Sequence, residues 1–190
     1  MNDNLVRFRI LAVTLFLTLV SASRAQMPTD GHVEGNSYVN SYFRLSYAWP
    51  RMLNPVDNST LRLPQPSPYA NEFLLFVARQ GDEPYGVVVL AEKLNVRTPH
   101  SNGIRDGSDF LDRLIRGFKP EDQAVILSRK HFTNGDGIPF DEFDYTTRGE
   151  YSSGIAAEVG GYLIAFKCNA KSSADLAQMT KSIVAMHVQK

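Results

Sequence analysis

Along residues 42–50, YFRLSYAWP, Phe43, Leu45, Tyr47 and Trp49 alternate with Arg44, Ser46 and Ala48. A two-residue period with bulky side chains on one side is that of a half-buried strand. Pro50 ends it, because proline has no N–H for a sheet ladder. The runs 73-FLLFVAR-79 and 85-YGVVVLAEKL-94 flank a Gly-Asp turn and carry the β-branched Val87, Val88 and Val89, which predicts an antiparallel hairpin. Both runs are apolar on both faces near their centres, so these strands belong inside a sheet covered on two sides.

From residue 108 the period changes. Phe110, Leu111, Leu114, Ile115 and Phe118 form one stripe of a helix, with Ser108 as the expected N-cap, Asp109 in the first turn and Lys119-Pro120 closing it. Residues 124–132, 138–148, 150–159 and 161–170 then read as a meander of four strands. Their connections, Asn134–Gly137, Gly149 and Gly160-Gly161, have hairpin chemistry. Ser172 or Ser173 caps a last helix whose Leu176, Met179, Ile183 and Met186 make a second stripe that must lie on the sheet. Residues 26–36, QMPTDGHVEGN, read as a flexible arm. Residues 51–71, with four prolines, and residues 95–107 read as surface connections. No repeat and no second core is visible. The order of elements predicts an α+β fold in one domain over residues 37–190, an antiparallel sheet flanked by helices as an α/β/α sandwich.

The N-terminus points outward from the cytoplasm. Arg7 and Arg9 precede 10-ILAVTLFLTLV-20, and Ser23-Arg24-Ala25 places small residues where a signal peptidase reads them. This is the pattern of a secretory signal peptide over residues 1–25, cut after Ala25. Eleven helical residues span about 16 Å against a hydrocarbon core of about 30 Å, so stable membrane insertion after cleavage is not expected. An exported location, periplasmic or extracellular, follows. The chain of 190 residues is neutral overall. Removing Arg7, Arg9, Arg24 and Asp3 with the signal leaves about −2, which gives no electrostatic footprint for nucleic acid. Cys168 is the only cysteine, so no internal disulfide forms, and its neighbours Ala165 and Phe166 favour a buried thiol.

The stretch 133-TNGDGIPFDEFDY-145 looks like half of a calcium-binding loop. With Gly137 at position 6, Asn134 and Asp136 fill positions 3 and 5, but Phe132 falls at position 1, Phe143 at position 12, and Glu142 lies one residue early. A hairpin turn is the better reading. Glu142 and Asp144 share one strand face about 7 Å apart and form the one candidate acidic pair, able to serve acid/base work or a hard cation. Their plainer role is a solvated face opposite Arg148 or Lys167, with no histidine or lysine placed to complete a mechanism. His32, His100, His131 and His187 are scattered, and Ser152-Ser153-Gly154 lacks the glycine pattern of a nucleophile elbow. No catalytic residue, no cofactor site and no metal ligand set is identified, so an enzyme is the weaker reading.

Tyr38, Asn40, Tyr42-Phe43, Leu45, Tyr47 and Trp49-Pro50, together with 161-GYLIAF-166, Ala170, Ser172-Ser173 and Leu176, resemble the opening strands and the close of PsbP-like domains, as found in some exported bacterial proteins. Arg51-Met52 stands where such domains commonly carry Gly-Trp. The resemblance implies an antiparallel sheet flanked by helices and non-enzymatic work as an accessory subunit on an exported or envelope protein partner; it carries over no catalytic residue. Two alternatives stand beside it: a carrier of a small apolar ligand between sheet and helices, and a small exported hydrolase using Glu142 and Asp144.

Overall fold

A computed structural model describes residues 26–57, 71–97 and 103–189. Residues 1–25, where the secretory pattern is expected, and Pro64, Pro66, Pro68 and His100 lie outside them. Eleven strands and two α-helices are described. Their order is β1 (Gly31–Glu34), β2 (Ser37–Asn40), β3 (Leu45–Ala48), β4 (Asn54–Pro55), β5 (Glu72–Arg79), β6 (Gly86–Lys93), α1 (Gly107–Arg116), β7 (Val125–Thr133), β8 (Pro139–Thr147), β9 (Glu150–Val159), β10 (Tyr162–Ala170), α2 (Ser173–Val184) and β11 (His187–Val188). Seven strands form one antiparallel sheet in the order β4-β5-β6-β10-β9-β8-β7, and four form a smaller sheet in the order β1-β2-β3-β11. The architecture is the expected α+β one, with helices on both faces of the large sheet and a second small sheet added.

Alternation along β8, β9 and β10 divides the core in two. Ile155, Ile164 and Phe166 point to the face that holds α2 and the small sheet, where they meet Met179, Ile183, Leu45 and Tyr47. Phe143, Ala156, Leu163 and Ala165 point to the opposite face, where they meet Phe110 and Leu111 of α1. Gly154 in the middle of β9 is explained by this packing. A Cβ there would meet Leu114 Cδ1 at 3.1 Å and Leu111 Cδ2 at 3.2 Å, so its absence lets α1 come close. Gly160 and Gly161 both take positive φ, 59° and 81°, which the tight β9–β10 turn requires and side chains resist.

Several boundaries differ from the periodicity. Phe43, Leu45, Tyr47 and Trp49 are all buried as the alternation demands, yet β3 begins only at Leu45. Arg44 sits in the left-handed region at φ 51°, which breaks the extended chain. The side chain of Asn40 holds that bend. Its Oδ1 accepts from Phe43 N at 3.1 Å while its Nδ2 donates to Pro28 O at 2.8 Å and to Tyr38 Oη at 2.9 Å. The expected arm is also corrected: β1 lies within it and pairs with β2. Its strand pattern is hidden because β1 buries no side chain and is held by ladder bonds alone. Likewise β4 falls in the proline-rich connection, where Pro55 is tolerated because β4 is a sheet edge.

The cap of α1 is Asp106, not Ser108. The Asp106 carboxylate accepts from Asp109 N at 2.8 Å, and the Ser108 hydroxyl instead accepts from Arg129 Nη2 at 2.7 Å. Ser172 caps α2, accepting from Asp175 N at 3.1 Å. No helix among the described residues is long and apolar enough to cross a membrane.

Candidate functional site

The 134–137 turn joins β7 to β8 as a hairpin, and its polar atoms face the protein. Asn134 Oδ1 accepts from Asp136 N and Ile138 N, both at 3.0 Å, which closes the loop on itself. Asn134 Nδ2 donates to Met186 O at 3.0 Å. Asp136 Oδ2 accepts from Val188 N at 3.0 Å and lies 3.2 Å from His187 Nδ1. The residues that suggested calcium ligands therefore clamp the C-terminal strand, and no group of three His, Cys, Asp or Glu side chains converges among the described residues. Calcium titration is expected to leave the melting temperature unchanged. A ligand at 100 times its Kd would add about 2.7 kcal/mol, a shift of several degrees, and a rise of that size abolished by Asp136→Ala would refute the clamp.

Glu142 and Asp144 share a face of β8, but not with the partners expected. Arg148 reaches toward Asp122 at 3.9 Å, and Lys167 lies over the Phe110 ring on the other side of the sheet. Lys130, which stands opposite Glu142 in the β7–β8 register, supplies the cation instead. Its Nζ lies 2.9 Å from Asp144 Oδ2 and 3.5 Å from Glu142 Oε1, and Ser128 Oγ donates to Asp144 Oδ2 at 2.7 Å. Sequence reading placed no lysine here because the pairing is set by the hairpin register, one strand away.

The electrostatics follow from burial. Desolvation and the Asp144 charge push the Glu142 carboxyl above its ordinary value. Burial also pushes Asp144 up, but hydrogen bonds from Ser128 and Lys130 outweigh it and hold it below the carboxylate norm. The bond to Asp144 leads the effects that raise Lys130 and keep it cationic. Cys168 is fully buried on the same face, and burial followed by the charges of Glu142 and Asp144 pushes its thiol far up, so it stays protonated and unreactive. The lysine is cationic, the aspartate anionic and the thiol protonated. The group is a half-buried ion cluster that pins β7 to β8.

Lys130→Met is expected to cost about 1–3 kcal/mol at neutral pH, between the values of exposed and buried pairs, because two carboxylates then face each other without a cation. Protonating Glu142 removes that repulsion, and its raised pKa makes it the first of the two to protonate. The loss should therefore shrink as pH falls from about 7 to about 4. Urea denaturation at both values checks it; an equal loss at both would refute the cluster.

The other candidates do not converge. His131 lies 3.2 Å from Asp141, His187 beside Asp136, and His32 in β1, on three separate strands. Ser152 and Ser153 are buried inside β9 instead of at a strand-to-helix turn, and Ser152 Oγ donates to Asn169 Oδ1 at 2.9 Å.

A surface feature went unread in the sequence. The edge strand β7 leaves Val125, Ile126 and Leu127 exposed at 56%, 55% and 52%. The β7–β8 register shifts between Ile126 and Ser128, so Leu127 sits at an irregularity that turns the apolar triplet outward. The run AVILSRKHF carries the signal, but nothing in it distinguishes an edge from an interior strand.

No family model matches the chain, and no curated protein matches it. Among solved structures it is similar to the solution structure of cyanobacterial PsbP (CyanoP) from Synechocystis sp. PCC 6803. The TM-score is 0.56 at 14% identity, and the match covers 90% of this chain and 99% of that one. The fold is PsbP-like.

Proposed function

We propose that the chain is an exported accessory module, and that it holds its protein partner by adding an extended segment of that partner to the β7 edge. The observation that carries the reading is the Val125-Ile126-Leu127 triplet, bulky, apolar and more than half exposed, on a strand with no neighbour beyond it among the described residues. Such an edge offers ladder hydrogen bonds for affinity and side-chain contacts for specificity. Arg129, Lys130 and His131 follow on the same strand, and any antiparallel pairing of two β7 copies centred there sets basic residues against each other. That register is disfavoured for a second copy, and the edge admits a different strand. The signal pattern over residues 1–25 and the PsbP-like fold support export and accessory work.

The test is a pull-down from the organism's own envelope extract with the mature chain and with Val125→Glu/Leu127→Glu. Both substitutions are at exposed positions and should each change stability by under about 0.5 kcal/mol. A protein captured by the wild type and lost with the variant, at unchanged melting temperature, is the expected result. Identical captures, no capture, or self-association alone would overturn the reading.

A further inference from the structure

On the face of the sheet away from the small sheet, a cleft of about 520 Å³ opens between the start of α1 and the chain that follows β6. Its walls carry Arg97, Arg105, Arg113 and Arg116, with Asp109 as the one acidic side chain among them. The floor is the buried Ile104. Two of the four guanidinium groups are engaged. Arg113 grips Glu92 through two bonds at 3.2 and 2.6 Å, and Arg105 Nε lies 3.5 Å from Asp109 Oδ2. Arg97 and Arg116 have no carboxylate within 4 Å among the described residues. After Asp109 and Glu92 are counted, an excess of two positive charges remains around one concavity, in a chain whose formal net charge is zero.

The walls are set by backbone bonds. Leu94 N donates to Gly161 O of the β9–β10 turn at 3.1 Å, and Asn95 N donates to Ile104 O at 2.8 Å, which ties the chain leaving β6 to the chain entering α1. Asn95 adopts φ 59° to make this crossing, and a Cβ on Gly103 would meet Val96 O at 2.7 Å. The backbone on either side of the cleft is therefore closely packed before any ligand arrives.

We infer that this cleft binds a small oxyanion with at least two negative charges, of the phosphate-ester or polycarboxylate class. Guanidinium groups present planar donor forks matched to such oxygens, and several of them around one concavity reinforce the field there. Arg97 and Arg116 are the groups that contact the ligand. Arg113, held by Glu92, and Arg105, held by Asp109, add charge from fixed positions. The inference is independent of the β7 edge, which lies on a different strand.

Isothermal titration of the mature chain with pyrophosphate and, separately, with citrate tests it, with sodium chloride at matched ionic strength as the blank. Binding of either one is expected. Arg97→Ala and Arg116→Ala should each weaken it about tenfold or more, the loss of a charge-assisted hydrogen bond, and the two together should abolish it. Arg51→Ala, which removes one exposed positive charge elsewhere, should leave affinity within about twofold. The pyrophosphate and citrate arms distinguish the phosphate from the carboxylate source. No heat with either ligand up to about 1 mM, the weak end of ordinary affinities, would overturn the site. An equal loss in Arg51→Ala and in the cleft variants would overturn it as well.

Discussion

Deleting residues 171–190 is expected to leave a chain that does not fold. The deletion removes α2 and β11 together. Leu176, Met179, Ile183 and Met186 lie within the larger core cluster, at most 6% exposed. Burying four such side chains contributes on the order of 6–12 kcal/mol before entropy is subtracted, comparable to the net stability of a whole domain. Polar ties go with them: Tyr47 Oη to Ser182 Oγ at 3.1 Å, Asn134 to Met186 O, Asp136 to Val188 N, and the β11 pairing with β3. Tyr47 and Asn134, both buried, would lose those partners. Single substitutions separate packing from chain length. Ile183→Ala should cost about 2–5 kcal/mol, and Gln178→Ala on the exposed face under about 0.5. Circular dichroism during heating decides the matter. A truncated chain that melts cooperatively at the full chain's temperature would show the helix to be dispensable.

Arg113→Met is expected to destabilise the protein by about 3–5 kcal/mol, and adding Glu92→Leu is expected to restore most of it. Glu92 points to the α1 face of β6, with only 9% of its side chain exposed, and Arg113 of α1 reaches it with both Nη1 and Nη2. Removing the arginine leaves a largely buried carboxylate without its bonded partner. Removing both leaves two apolar groups beside Leu90 and Leu94, which already pack against this part of the core. Urea denaturation of the two single variants and the double variant gives the coupling, expected to exceed about 2 kcal/mol. Additive single effects would mean that the pair is held loosely and stabilises little.

The patterned elements were legible. The predicted alternation from Phe43 to Trp49 and the stripe from Leu176 to Met186 are buried, and in the first helix stripe Phe110 and Leu111 are buried while Leu114, Ile115 and Phe118 are partly so. Three elements that escaped bury little of their own: β1 has no buried side chain, and β4 and β11 have two residues each, so they exist through bonds to a neighbour, with Asp136 adding one to β11. The acidic pair was legible as two carboxylates on one face. Its cation was not, because Lys130 meets it only through the register that the 134–137 turn sets. The arginine cleft shows the same limit. Arg113 and Arg116 share a helix face and are visible as neighbours, whereas Arg97 joins them only when the chain after β6 is tied back to Ile104.

Burial periodicity, turn chemistry and the export pattern are local properties, written within a few residues of one another. By itself, then, the sequence determined the α+β class, the succession of the longer strands and the two helices, the two helix stripes and the expectation of export. The tertiary structure alone decided which charges meet. It gave Lys130 to Glu142 and Asp144, Asp136 to the C-terminal strand, and Arg113 to Glu92, and it left β7 as the edge. The reason is physical. Hydrophobic burial is non-directional and reads out as pattern, while ion pairs and hydrogen bonds act over a few ångströms and depend on strand order and register, which no short stretch of chain contains.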